Sequence, residues 1–558
     1  MAEVDDLIEE YQTLEKERQP FEEVWEEIRA NVVPNRSGFE NDDPRQGERR
    51  GQDVIFDGTP ASALNMYASG SMGYLLSSSF NWFSLRVPDE QLMDVREVRM
   101  WLSKVDAVLY SMISRSNFYR EMFSFFYDAG SIGTATVYRY WDATTGREYF
   151  SVRHPREIYV AENEHGEVDT CFRHTMMTNK QIVEQFGAKD SVNPRVEEDY
   201  HRPNGKYNKV HVLHVVKPNP DWDPTKQDTK SLKYKSWYID KDNTHLMRES
   251  GNRVMPYNVW RVQKQSDERY GRGPGWNALA DIKMLYAIAK SDMTAAQLLV
   301  NPPLDIPEER MDSYRFVPGG RNPYEEAGRK VEIPDMRLQI GAGLELQRQK
   351  IEIIKRHYLT DFFQMFAQAE KEMTATEVRQ RREEKAVLLG PHITGLNHDV
   401  LDGAIDGLFN DAVQEGLIPP APQILMESMQ GRRLEVDYMG PLAQAQRNFF
   451  KGEPYRQAMQ AWGGLAEVLL AGGRPPEFLD NYNWDYVSRE MSKAGGLPEE
   501  AMLEEKVVAK MREARAKKQA EAEQLAKLEQ LGKAAPGLNQ PVQKGSMMDE
   551  AAKQTVPA

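Results

Sequence analysis

LELQRQKIEIIKRHYLTDFFQMFAQAEKEMTATEVRQRREEKAVLLGPHITGLNHDVLDGAIDGLFNDAVQEG, residues 344–416, is the longest helical pattern in the chain. Its first half puts Ile351, Ile354, Tyr358, Phe362 and Phe366 on one stripe at spacings of three and four. Its second half repeats the pattern with Leu389, Ile393, Leu396, Val400, Ile405, Leu408 and Ala412. Between them, Thr374 and Glu377 have the spacing of a capping box, which satisfies the bare amides that open a new helix. The pattern therefore predicts a first helix over 344–369, about 40 Å long at about 1.5 Å per residue. A break over 370–375 and a second long helix follow. Gly390-Pro391 is expected to kink the second helix, because proline removes one ladder bond.

A second long helix, from Trp276 to about Val300, precedes this stretch and ends at Pro302-Pro303. Its stripe holds Leu279, Ile282, Leu285, Tyr286, Ala289 and Met293. Residues 301–343 between the two are rich in Pro, Gly and Arg and read as an irregular excursion. Further out, residues 134–263 change to alternating patterns typical of strands, with Asp142–Gly146 as a hairpin turn. Thr178 and Gln181 give a second capping box inside this β-rich module.

N-terminal to it, residues 3–32 form an amphipathic pattern that Pro20 is expected to bend or split. The stretch 34–53 reads as a mobile loop. Thr59-Pro60 reads as a cap and first-turn proline opening a helix to about Leu76, whose Ala and Gly face permits a close neighbour. Strand-like Trp82–Val87 and helices over 93–116 and 118–129 complete this region. C-terminally, Leu434–Tyr438 reads as a strand returning to the β-rich part. Helices are expected over 441–472, 476–494 and 498–531, with residues 532–558 disordered.

Composition narrows the function classes. The chain has 558 residues, 40% hydrophobic and 28% charged, with a net charge of −15. Tight nucleic-acid binding normally needs a basic face, which this average does not offer overall. The single cysteine, Cys171, excludes an intrachain disulfide and a cysteine-built zinc site. Met1-Ala2-Glu3-Val4-Asp5-Asp6 lacks the basic and apolar regions of a signal peptide, and no apolar run is long enough to span a membrane.

Catalytic and cofactor motifs are missing. There is no G-x-x-x-x-G-K-[ST], and Gly271, Gly273 and Gly275 are not spaced G-x-G-x-x-G; they read as a break before the helix. His211 and His214 fall on opposite faces of one strand, and His392 and His398 are six apart on a helix, so neither pair suits a metal. No catalytic, cofactor-binding or metal residue is assigned. The basic cluster Arg379, Arg381, Arg382 and Lys385 is balanced by Glu383 and Glu384. It reads either as a salt-bridged face or as a phosphate contact. Lys506 to Lys518 carries the same two readings.

Met373-Thr374-Ala375-Thr376-Glu377-Val378, then Arg381-Arg382-Glu383-Glu384-Lys385 and Leu388-Leu389-Gly390-Pro391, resembles the signature of portal proteins, the head-to-tail connectors of short-tailed bacteriophages. Gly271-Arg272-Gly273-Pro274 with Leu279, Asp281 and Ile282, Asn301-Pro302-Pro303-Leu304, and Gly440-Pro441-Leu442-Ala443 with Ala445-Gln446 resemble other segments of that family. Trp25-Glu26-Glu27-Ile28 and Asp57-Gly58-Thr59-Pro60 also fit. The resemblance covers about residues 5–470.

The resemblance implies an α+β, mainly helical portal fold that assembles into a ring, expected to be a dodecamer, at one capsid vertex of the virion. It implies a wing over 1–270, stem helices over 271–300 and 344–369, and a clip over 301–343. A tunnel loop over 370–375, a kinked helix and return strand over 376–440, and a helical crown or barrel over 441–531 would follow. The tunnel loop would be Glu370, Lys371, Glu372, Met373, Thr374 and Ala375, with Lys371 in a cationic ring of an otherwise acidic channel. Clip contacts would come from Arg310, Arg315, Arg321, Arg329 and Lys330. Partners would be other copies of the chain, double-stranded DNA, terminase, tail or adaptor proteins, and major capsid and scaffold proteins, with no cofactor and no membrane insertion. Two other readings stand beside it: a different virion scaffold or tail adaptor, and a metal-dependent nucleic-acid enzyme using dispersed carboxylates.

Overall fold

The computed structural model describes residues 2–39, 55–300, 340–367, 390–440 and 453–534, except 94, 188–190, 224, 227, 430–432, 495–501 and 504. The chain divides into two compact units, Met1–Pro454 and Tyr455–Ala558.

In the first unit, α1 (Ala2–Val32) runs unbroken through Pro20, against the expected split. One lost ladder bond is outweighed by burial on both sides of the proline. Tyr11 and Leu14 are buried before it, and Trp25 and Ile28 after it. Arg18, two residues before Pro20, donates to the carbonyls of Pro155, Arg156 and Ile158 and lies 3.5 Å over the Tyr159 ring. The following turn is also fixed where it is described: Arg36 pairs with the buried Asp128 carboxylate.

α2 (Thr59–Leu75) begins one residue earlier than the expected cap requires. Thr59 is already helical, and its N–H is satisfied by Asp57 Oδ1 at 2.7 Å. β1 (Phe83–Arg86), α3 (Glu90–Met93), α4 (Arg96–Arg115) and α5 (Phe118–Ser131) lead to β2 (Thr134–Asp142) and β3 (Arg147–Arg153). β4 (Ile158–Glu162) and β5 (Val168–Thr178) follow, then α6 (Asn179–Phe186), α7 (Pro194–His201), β6 (Lys209–Pro218), β7 (Tyr234–Asp240), β8 (His245–Asn252) and β9 (Tyr257–Arg261). The Thr178–Gln181 capping box is formed as expected.

These strands make an antiparallel sheet of order β4-β5-β6-β7-β8 and a second of order β3-β2-β9. The apolar face of α1 packs on the larger sheet, where Val4, Leu7, Tyr11 and Leu14 meet Tyr159, Phe172, Leu213, Val215, Trp237 and Ile239. The late strand β10 (Glu435–Tyr438) joins neither sheet. It pairs antiparallel with β1, Phe83 opposite Tyr438, so the return is to the helical region rather than to the β-rich module.

α8 (Pro274–Val300) matches its sequence pattern. α9 (Ile340–His357) starts four residues before the expected boundary and stops well short of 369. Leu359 takes a left-handed conformation, φ 54°, and α10 (Thr360–Ala367) continues in a new direction. The turn lets Tyr358, Phe362 and Phe363 all become buried. Further on, helix Gly390–Leu396, a π-helical turn Asn397–Leu401 and helix Asp402–Gln414 follow one another. The expected stripe steps by five between Val400 and Ile405, and the wider π turn lies at that step, keeping both residues inward. Pro391 sits in the first described turn of this helix, and the residues that would show a kink there lie outside the described ones.

In the second unit, helices Glu453–Ala471, Trp484–Ala494 and Glu505–Ala534 overlap the expected ones, but the second begins only after a 3-10 turn Glu477–Asn481 and the third runs three residues beyond 531; residues 441–452 lie outside the described residues. Trp462, Tyr482 and Trp484 form one aromatic group, and Arg512 grips Asp485 with two hydrogen bonds of 2.6 Å.

Candidate functional site at the base of the long helix pair

α8 enters through a contact that only glycine allows. A side chain at Gly273 would come within 2.5 Å of the Ala129 carbonyl, and one at Gly275 within 2.3 Å of the Ser131 carbonyl. The glycines at 271, 273 and 275 thus press backbone against the α5–β2 turn and the end of β9, where they break the chain before α8.

From this foot, α8 and α9 lie side by side. Lys350 donates to Asp281 Oδ1 at 2.8 Å, and His357 Nε2 lies 3.6 Å from the other oxygen of the same carboxylate. Further along, Gln347 donates to Asp292 at 2.8 Å. α1 braces the pair: the Tyr286 hydroxyl donates to the Asn31 carbonyl at 2.7 Å, and Lys283 pairs with Glu27. Each bond ties a residue from one helix to one from another, so register as well as proximity is specified. By contrast, Met284, Met293 and Val300 of α8 and Leu344 and Leu346 of α9 stay exposed.

α9 and α10 turn at Leu359 onto α2. The Phe363 ring occupies the space over Gly70, where a Cβ would fall 2.3 Å from ring carbons. It stacks on Tyr74 at 6.1 Å and meets Tyr67 edge-on at 6.2 Å. Gly130 of α5 packs against Tyr67 and Leu64 of the same helix. Gly70 on the small-residue face of α2 therefore receives another helix of the same chain.

Tyr67 has one more partner. Its hydroxyl lies 3.2 Å from His392 Nε2, and the His392 ring packs edge-on to Trp260 at 5.6 Å. Burial lowers the His392 pKa to about 4, so the imidazole is neutral at pH 7, and burial raises that of the Tyr67 hydroxyl. One residue of α2 thus touches both α10 and helix Gly390–Leu396.

The stretch between these two helices carries most of the residues singled out from the sequence. Glu370, Lys371, Glu372, Met373, Thr374, Ala375, Glu377, Arg379, Arg381, Arg382 and Lys385 lie outside the described residues. So do Arg310, Arg315, Arg321, Arg329 and Lys330. What the structure adds is the framework on either side. Gly70, Tyr67 and His392 were legible only as a small-residue face, an apolar position and a histidine unsuited to a metal. Their convergence needs the tertiary fold.

A family model described as bacteriophage head to tail connecting protein matches residues 4–503. The chain belongs to this family. It is 30% identical over 522 residues to the probable portal protein of Bordetella phage BPP-1, covering 91% of this chain and 90% of the relative. It is 28% identical over 530 residues to the portal protein of Salmonella phage epsilon15, covering 92% and 91%. Its role in the virion is structural, as a connector of head and tail, and not enzymatic. No helix among the described residues is long and apolar enough to cross a membrane.

Proposed function

We propose that copies of this chain close into a ring, a dodecamer, at one capsid vertex and form the channel through which double-stranded DNA enters and leaves. In this reading α8 and α9 are the stem, residues 301–343 the clip and 370–375 the tunnel loop. The β-rich module belongs to the wing, and the helices after 441 form a crown or barrel. Terminase, and later tail or adaptor proteins, dock on the clip through Arg310, Arg315, Arg321, Arg329 and Lys330; capsid and scaffold proteins surround the wing.

The observation that carries the reading is the long helix pair itself. It is fixed internally by Asp281–Lys350 and Asp292–Gln347, yet leaves Met284, Met293 and Val300 uncovered in a single chain. A neighbouring copy would bury that apolar area, worth roughly 25 cal/mol for each Å² removed from water. The net charge of −15 suits a conduit, because each phosphate contact adds salt-sensitive affinity and therefore drag. Lys371 would supply a sparse cationic ring in an otherwise acidic lining, and Arg379, Arg381, Arg382 and Lys385 either line the channel or form a salt-bridged helix face.

The single cysteine makes a direct test available. Cys171 is fully buried, and burial raises the pKa of its thiol, so it stays unreactive. A375C would then carry the one reactive thiol and could hold a photo-crosslinker in DNA-filled particles. The proposal expects DNA crosslinks from A375C and none from T145C, an exposed turn residue of the wing. Equal crosslinking from both, or none from A375C, would overturn the assignment of 370–375.

A further inference from the structure

We infer that Tyr67 is a positioning residue that couples the stem to the wing helix, holding α10 and helix Gly390–Leu396 together against α2. Its aromatic edge meets Phe363 of α10 at 6.2 Å, and its hydroxyl lies 3.2 Å from Nε2 of His392 in helix Gly390–Leu396. It is 1% exposed and backed by Gly130 of α5, so it has little room to follow one partner without disturbing the other. Phe363 has no freedom behind it either: Gly70 leaves only the space the ring fills, and Tyr74 stacks on its face. On the other side, His392 is confined by Trp260, which itself stacks on Phe125 at 6.0 Å.

A continuous row of packed rings, Phe363–Tyr67–His392–Trp260–Phe125, therefore runs from the end of the α9–α10 arm to strand β9 and helix α5. Displacement of α10 must be accommodated at Tyr67, and Tyr67 can transmit it to His392 through ring contact and one hydrogen bond. This coupling goes beyond the channel reading and does not depend on what passes through the ring.

The test perturbs one end and reads the other, using amide hydrogen exchange of the full-length chain resolved by peptide. Y67F keeps the ring and removes the bond to His392, together with the hydroxyl's contact to Ser71 within α2. Losing one hydrogen bond shifts a local opening equilibrium roughly three- to tenfold. Y67F is expected to speed exchange in Gly390–Leu396 by that factor while leaving β5–β6 peptides unchanged. F363L, which touches α10 alone, is expected to speed exchange in both Thr360–Ala367 and Gly390–Leu396. In the Y67F background its effect on Gly390–Leu396 should shrink, because only the ring contact is left to carry it. If F363L loosens only Thr360–Ala367, or if Y67F raises exchange evenly over the whole chain, Tyr67 is an ordinary core residue and the coupling is wrong. A failure of DNA crosslinking at residue 375 would leave these exchange results untouched, so the two readings fail separately.

Discussion

Replacing Arg139 by methionine should destabilise the first unit in a way that depends on pH. Arg139 lies on β2 with its side chain 7% exposed, and its Nη1 donates to Glu148 Oε1 at 3.2 Å and Asp411 Oδ2 at 2.5 Å. Gly407 of helix Asp402–Gln414 leaves the space that the guanidinium fills. Methionine retains most of the volume but leaves the Glu148 carboxylate buried beside Asp411 without its cation. Breaking a buried pair on one side costs about 3–5 kcal/mol. Glu148 can escape part of this by binding a proton, since burial already raises its pKa, with Arg139 opposing and Asp411 adding to the rise. A carboxyl whose folded pKa lies above its unfolded value contributes stability at low pH and loses it as pH rises through the folded pKa. The deficit of R139M relative to wild type should therefore be about 1–2 kcal/mol at pH 5, from lost hydrogen bonds, and approach about 3–5 kcal/mol at pH 9. Urea unfolding at pH 5, 7 and 9, followed by tryptophan fluorescence, would measure it. Adding E148Q should recover most of the high-pH deficit. A deficit that stays constant with pH, or one that E148Q does not relieve, would refute the coupling.

Three smaller perturbations test other parts of the framework. Burial lowers the pKa of His392 to about 4, below its ordinary 6.5, so its contribution to stability is full above pH 6.5 and is lost as pH falls toward 4. H392Q should flatten the acid limb of the stability profile by on the order of 1–3 kcal/mol in that window. The variant-minus-wild-type difference isolates it from Asp106 and Asp128, whose pKa values burial raises to about 6 and whose effect on stability has the opposite sign. G273A should cost about 1–3 kcal/mol in denaturant unfolding, because the added methyl meets backbone that must shift. T178A should cost about 1 kcal/mol and raise exchange in Asn179–Phe186 selectively, since it removes one half of a formed capping box.

Sequence reading succeeded where local rules decide the outcome. Alternation placed the strands from Thr134 to Arg261, and the Thr178–Gln181 spacing placed a formed cap. It failed where tertiary packing overrides local preference. Pro20 does not break α1, because the buried residues on both sides hold the axis. The stripe from Ile351 through Phe362 gives no sign of the turn at Leu359, after which Phe363 fits over Gly70. The small helix α7 was missed because Asn193 caps Arg195 N–H within a short polar stretch that reads as loop. Of the site, the approach of three glycines to the α5–β2 turn was legible only as punctuation. The meeting of Tyr67, Phe363 and His392 joins positions about three hundred residues apart, beyond the reach of any local pattern.

The central claim is that this head-to-tail connecting protein works as a closed ring. Electron microscopy of the purified full-length chain tests it most directly. The account predicts closed rings of uniform copy number, twelve, with a central hole wide enough for a DNA duplex. Particles that remain monomeric, with magnesium-dependent cleavage of nucleic acid, would contradict it.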